Sequence, residues 1–339
     1  MKTKPMTKFA ILALSLVLVA CAGGGSEEAG CPAIDGREIN VVATTPMIGE
    51  FVSQVGGENI NLTVLMPPEA NPHTYEPAPQ DAGTIAEADL VFYTGLLYEP
   101  AALVKLLENS ACSTDILSEV GESVFPIEFK EGGHDDHDDH DDEEGHDDHD
   151  DEEGHDDHEG HNHGAYDPHF WFDPSRVAYA AEYIESRLIQ FDPENESSYT
   201  SSADSFVSEL NDLTKQVSEL ISTVPSQNRK LITTHESLGY LEAKFGLEVL
   251  STIIPSLNSA NEISPSDLAG VIDVIEDNNV KVIFIESEAP SVYSETIVAE
   301  TGIKPVTGLY VETLKPGQSY SEFLISNVKL ITENLQDTD

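Results

Sequence analysis

Positive charge is scarce in this chain. Its 339 residues carry 16 Lys and Arg against 63 Asp and Glu, for a formal net charge of −47. Phosphate recognition needs clustered cations, so a nucleic-acid partner is excluded, while cationic ligands suit so acidic a surface. Long apolar runs are missing beyond the first twenty residues, so no later segment is suited to crossing a bilayer. Only three cysteines are present, none in a reactive context, and there is neither a Gly-rich phosphate loop nor a G-x-S-x-G elbow. His235-Glu236-Ser237-Leu238-Gly239 opens like the metalloprotease motif H-E-x-x-H, but Gly239 stands where the second histidine belongs. Without it, the helix face that would hold a catalytic zinc does not form. These absences argue against an enzyme, and a zinc hydrolase in particular.

The sequence does hold an unusual concentration of histidine. Nine of its twelve histidines fall within residues 134–163, HDDHDDHDDEEGHDDHDDEEGHDDHEGHNH. They are His134, His137, His140, His146, His149, His155, His158, His161 and His163. Imidazoles mixed with carboxylates bind divalent metal. The stretch has almost no apolar side chain with which to offset the entropy of folding, so residues 131–164 are expected to be a disordered, metal-collecting loop. A solvated acidic spacer would explain its aspartates but not the recurring histidines. Even without this run, about −29 of charge remains on the rest of the chain.

Residues 1–20 have the form of a signal peptide, with Lys2, Lys4 and Lys8 ahead of an apolar run too short to span a membrane. The run ends Leu18-Val19-Ala20-Cys21, which resembles a bacterial lipobox and marks Cys21 for lipidation, with residues 21–36 as the tether. The expected product is an exported protein, lipid-anchored at the outer face of the cytoplasmic membrane or in the periplasm. Cys31 and Cys112 then form an even pair suited to a disulfide, two unpaired thiols being the alternative.

Two lobes are expected. Strand-like runs at 39–43, 60–65 and 90–93 alternate with helical patterns at 47–55 and 101–108, giving an N-terminal α/β lobe over 37–172. Residues 173–227 read as helical, capped by Asp173 with Pro174 at the first position and broken near Asp192-Pro193. In the second part Phe206, Leu210, Leu213, Val217 and Leu220 lie on one face, as in a long linking helix. A C-terminal lobe over 228–339 repeats the alternation, with strands at 230–234, 280–285 and 303–307 and a helix opened by Ser264-Pro265-Ser266-Asp267. The fold class is therefore α/β, with mostly parallel sheets flanked by helices in both lobes.

Three histidines lie outside the acidic run, and each sits where a strand or turn ends. His73 is in Asn71-Pro72-His73-Thr74-Tyr75-Glu76-Pro77, His169 in Asp167-Pro168-His169-Phe170-Trp171-Phe172-Asp173-Pro174, and His235 follows Leu231-Ile232-Thr233-Thr234. Ligands of open α/β sheets collect at the carboxyl ends of strands, so the three can converge. One such histidine alone is more often an ordinary surface or core group. Prolines on both sides of two of them fix the backbone and lower the ordering cost of a preformed site.

PHTYEP, DPHFWFDP and THESLGYL, in that order, resemble the metal-binding proteins of bacterial zinc and manganese ABC importers, and the acidic histidine loop resembles that of the zinc-specific members. The resemblance implies metal held in a cleft between the lobes by His73, His169 and His235. Manganese-preferring relatives tend to have glutamate at the third place, so the resemblance implies Zn2+ as the transported ligand, which agrees with the preference of imidazole for zinc. It also implies an ABC permease and its ATPase as partners, a lipid-anchored monomer and no catalysis. For the fourth ligand, Glu312 in Gly308-Leu309-Tyr310-Val311-Glu312 falls at the place of a carboxylate in relatives, with Glu286 in Phe284-Ile285-Glu286-Ser287-Glu288 and water as alternatives. Asp167, Asp173 and Glu76 are candidates to orient the imidazoles, although helix capping already accounts for Asp173, and Trp171 is expected to pack near the site. A manganese receptor and a metal-storage or adhesin lipoprotein remain the competing functions.

Overall fold

The central strands form from short apolar runs, INVVA and LVFY, which are buried on both faces, as parallel strands usually are, while the edge strand INLTV is largely exposed. In the computed structural model, which describes residues 31, 34, 36–129, 166–288 and 292–336, the first sheet comprises β1 (Ile39–Ala43), β2 (Ile60–Val64), β3 (Leu90–Tyr93) and β4 (Leu117–Glu119). Its order is β2-β1-β3-β4, all parallel, with Ile39 opposite Ile60, Val41 opposite Leu90 and Val91 opposite Leu117. The connections carry α1 (Pro46–Gly56), α2 (Pro79–Ala86) and α3 (Ala101–Ser110). Thr45 starts α1 by accepting the Ile48 N–H, with Pro46 at the first position, where a missing donor costs nothing. A disulfide joins Cys31 to Cys112, just beyond α3.

Two long helices follow, α4 (Pro174–Phe191) and α5 (Glu196–Ser222). Asp173 caps α4 through the Ser175 N–H, and Pro193 ends the run before α5 resumes. The 27 residues of α5 reach about 40 Å at 1.5 Å each. Their buried face is Tyr199, Ala203, Phe206, Leu210, Leu213, Val217 and Ile221, at spacings of three and four.

The second half contains β5 (Lys230–His235), α6 (Gly239–Phe245), β6 (Glu248–Ile254), α7 (Pro265–Asn278), β7 (Val282–Glu286), α8 (Val292–Thr301), β8 (Lys304–Leu309) and α9 (Tyr320–Leu335). Strand β5 pairs in parallel with β6, and β7 with β8. The two pairs meet through β5 and β7, where Glu286 N–H donates to the Thr234 hydroxyl and His235 N–H to the Glu286 carboxylate. Ser264 and Asp267 form the capping box of α7, and Ser319 with Glu322 repeats the device on α9.

One apolar core runs through both halves. Phe51 of α1 stands 6.1 Å from Phe170, 6.3 Å from Phe206 of α5 and 5.3 Å from Tyr320 of α9, measured between ring centroids. Helix α5 packs on both α1 and α9, so the halves share a wall rather than hanging from a free linker. Smaller apolar clusters lie around Val42, Val91 and Leu107 in the first half and around Ile232, Ile253 and Ile283 in the second. Among the described residues, no helix is long and apolar enough to cross a membrane. The signal peptide, Cys21, most of the tether and the nine-histidine stretch lie outside the described residues.

Candidate metal centre

Each histidine outside the acidic run is held by local backbone chemistry. His73 lies in a short turn, Pro72–Thr74, where Asn71 accepts the His73 N–H at 2.9 Å. The Asn71 amide also donates to Ser259 Oγ and to the Glu288 carbonyl, which ties the turn to the second half of the molecule. His169 precedes the turn Phe170–Phe172, whose three aromatic side chains are all buried and anchor it to the core. His235 is the last residue of β5. Glu312 lies three residues past β8, on a segment pinned from several sides. Trp171 Nε1 donates to the Val311 carbonyl at 2.8 Å, and Glu288 accepts the N–H groups of Val311 and Glu312.

These four side chains converge. One ligand atom from each of His73, His169, His235 and Glu312 lies within 4.8 Å of all the others. Glu312 Oε1 is 3.0 Å from His235 Nε2 and 3.1 Å from His73 Nε2, and Glu312 Oε2 is 3.5 Å from His169 Nε2. The Nε2 atoms of His169 and His235 are 3.4 Å apart. A tetrahedral ion with bonds of ~2.0–2.1 Å places its ligand atoms ~3.3–3.4 Å from one another, so these separations suit a small four-coordinate cation. Glu312 Oε1 and His73 Nε2 are buried and have no hydrogen-bond partner, which is costly unless a cation occupies their common space.

The far ring nitrogens set the tautomers. Asp167 accepts from His169 Nδ1 at 2.8 Å and also takes the His169 N–H, and Glu286 accepts from His235 Nδ1. A proton held at Nδ1 leaves Nε2 as the free donor atom, aimed at the centre. Burial opposes protonation of His169, but the Asp167 hydrogen bond and Glu312 outweigh it and push its pKa up to about 8. Burial likewise opposes the proton on His235, and Glu286 with Glu312 hold it well above the ordinary histidine value. Burial would raise Glu312, yet His73 and His235 keep it well below the usual carboxylate range. Glu288 is pushed up to about 8 by burial and by its neighbours Glu312 and Glu286.

Of the two carboxylates left open by the sequence, Glu312 is therefore the one in the cluster, while Glu286 stands behind His235. Asp167 stands behind His169, Asp173 caps α4, and Glu76 is exposed. Trp171 packs 5.5 Å from the His169 ring. Two groups carried no signal in the sequence. Tyr98 donates to Glu312, and Tyr240 donates to the Asp167 carbonyl while accepting the Ile127 N–H. Tyr240 lies inside the THESLGYL segment, but nothing in its spacing marks it as a brace.

A family profile described as zinc-uptake complex component A, periplasmic, matches residues 41–334. The chain is similar to the manganese-binding lipoprotein MntA of Halalkalibacterium halodurans, 23% identical over 323 residues, which are 95% of this chain and 94% of the relative. It is 26% identical over 342 residues to the manganese ABC transporter substrate-binding lipoprotein PsaA of Streptococcus anginosus, covering 98% of this chain and 99% of that protein. Among solved structures it is similar to the periplasmic zinc-binding protein TroA of Treponema pallidum, with a TM-score of 0.72 at 21% identity over 88% of this chain and 99% of that one. Fe(III)-bound YtgA of Chlamydia trachomatis gives a TM-score of 0.71 at 25% identity, over 88% and 98%.

Proposed function

The chain belongs to the family of the periplasmic zinc-uptake complex component A, a family of solute-binding receptors of ABC importers and not of enzymes, and from that membership we propose that it captures Zn2+ outside the cytoplasmic membrane through His73, His169, His235 and Glu312. It is the extracytoplasmic, divalent-metal-binding component of an importer and works with a membrane permease and its ATPase. Zinc is favoured by the donor set, in which three imidazole nitrogens and a carboxylate lie within 4.8 Å of one another. Manganese prefers more carboxylate and carbonyl oxygen and a larger shell. The protein acts as a monomer anchored through Cys21, and the nine histidines of residues 134–163 collect or sense zinc. Enclosure by four side chains leaves no open coordination position for a reactive water, which fits capture and release rather than turnover.

Manganese is the second candidate, because the similar lipoproteins of Halalkalibacterium halodurans and Streptococcus anginosus are named for it. Almost any nitrogen and oxygen site binds zinc above manganese, so the preference of one protein alone decides little. The informative quantity is how the preference changes with the donor set. Native mass spectrometry with both metals in competition, on wild type and His235→Glu, reads it directly. For a zinc receptor, the substitution lowers the zinc-over-manganese ratio at least tenfold. An unchanged ratio, or a wild-type protein that keeps manganese against equimolar zinc, would overturn the assignment.

A further inference from the structure

Tyr98 is buried against the metal centre, its ring 5.0 Å from His73, 5.8 Å from His169 and 5.3 Å from Trp171. Its hydroxyl proton is shared between two acceptors of one residue, the Glu312 carbonyl at 2.9 Å and Glu312 Oε2 at 3.0 Å. The two carboxylate oxygens of Glu312 are thus unequal. Oε2 is engaged by a phenol and lies 3.5 Å from His169 Nε2, whereas Oε1 has no hydrogen-bond partner and lies closer to two ring nitrogens, those of His73 and His235 at 3.1 and 3.0 Å.

The backbone that delivers Tyr98 is itself built for the purpose. Gly95, Leu96 and Leu97 are three successive left-handed residues, with φ of 76°, 52° and 63°. Leucine rarely adopts this conformation, because its Cβ crowds the following carbonyl. Two carboxylates hold the turn against that cost. Glu99, buried, accepts from the Thr94 N–H and the Thr44 hydroxyl through Oε1 and from the Gly95 N–H through Oε2. Glu119 Oε1 accepts the Leu96 N–H at 2.9 Å. A strained turn stapled at four points, with Tyr98 as its inward residue, fixes the hydroxyl on Glu312.

We propose that Tyr98 is a specificity-determining residue, whose hydrogen bond keeps Glu312 Oε2 out of the metal shell so that Glu312 offers one oxygen and the site closes at four ligands. Four-coordination suits zinc, while a second carboxylate oxygen would make a larger, more oxygen-rich shell of the kind manganese favours. Tyr98 thereby acts through Glu312 and touches no metal. The inference rests on the zinc assignment of the same site.

The test replaces Tyr98 by Phe, which removes the hydroxyl and keeps the ring, and by Leu, which removes both. Cobalt(II) is the spectroscopic probe, because four-coordinate cobalt gives intense visible bands that weaken several-fold at five or six ligands. Wild type should show the intense bands. In both variants the bands should weaken, and the zinc-over-manganese affinity ratio should fall about tenfold. Circular dichroism of the metal-free proteins identifies which variants are folded, and a change shared by Phe and Leu assigns the effect to the hydroxyl. A four-coordinate spectrum and unchanged ratio in a folded variant would overturn the role of Tyr98 while leaving the zinc assignment standing. Weak bands in the wild type would overturn both.

Discussion

Replacing Glu286 by Gln separates a carboxylate that orients a ligand from one that binds metal. Glu286 accepts from His235 Nδ1 and from the His235 N–H, so the carboxamide keeps the shape but loses the charge that fixes the ring and raises its basicity. Loss of such a partner costs about 10- to 100-fold in metal affinity, or about 1.4–2.7 kcal/mol. A second effect runs the other way. In the metal-free protein Glu286 and Glu312 hold the His235 pKa well above its ordinary value against burial, so at neutral pH a proton competes with the metal. Removing Glu286 relieves that competition and hides part of the penalty. The penalty should therefore grow as pH rises and the wild-type ring sheds its proton. Competition titrations against a zinc chelator at several pH values measure it, and zinc X-ray absorption should show the ligand number unchanged. Unaltered affinity at pH 9, a penalty that shrinks as pH rises, or loss of a ligand would each refute the orienting role.

Zinc requires neutral imidazoles, and in the metal-free protein His169 is pushed up to about 8 while Glu286 and Glu312 hold His235 above its ordinary value against burial. Binding at pH 7 should then release protons, and affinity should rise with pH through about 8, where His169 loses its proton; calorimetry in buffers of different ionisation heat reads the release, and none would contradict the assigned pKa directions. Truncating Phe51, where α1, α5, α9 and the Phe170 turn meet, to Ala should cost about 3–5 kcal/mol in urea unfolding of the metal-free protein, since a buried ring leaves a cavity at the shared core. A cost below about 1 kcal/mol would mean that the halves do not share that core. Deleting residues 134–163 should leave one tight zinc site and remove only weaker, pH-sensitive binding. Loss of all tight binding would make the histidine stretch the site and the protein a storage lipoprotein.

The elements that the sequence identified correctly are those with strong local signals. The parallel strands at 39–43, 90–93 and 230–235 are continuous buried runs, and α1, α4 and α7 begin at a capping side chain followed by proline. The strands expected at 280–285 and 303–307 lie at Val282–Glu286 and Lys304–Leu309, a displacement of up to two residues. Strands β4 and β6 gave no comparable pattern. The first is three residues long, and the second starts with the exposed Glu248 and the half-buried Val249 and Leu250 and pairs only with β5. Helix α9 was equally silent, although its Tyr320 and Phe323 lie deep in the shared core.

The chemistry divides along the same line. By itself, the sequence determined that three proline-framed or strand-end histidines exist outside the acidic run, that two carboxylates compete to join them, and that no hydrolytic motif accompanies them. Tertiary structure decided which carboxylate stands where. Glu286 ends β7 beside β5, which puts it behind the His235 ring, whereas Glu312 reaches the centre because Trp171, Glu288 and Tyr98 pin its segment there. Such contacts join residues from 23 to 214 positions apart, and no local spacing encodes them. Only the packing of the halves on one core brings a strained turn at Leu96 and Leu97 to the carboxylate that it braces.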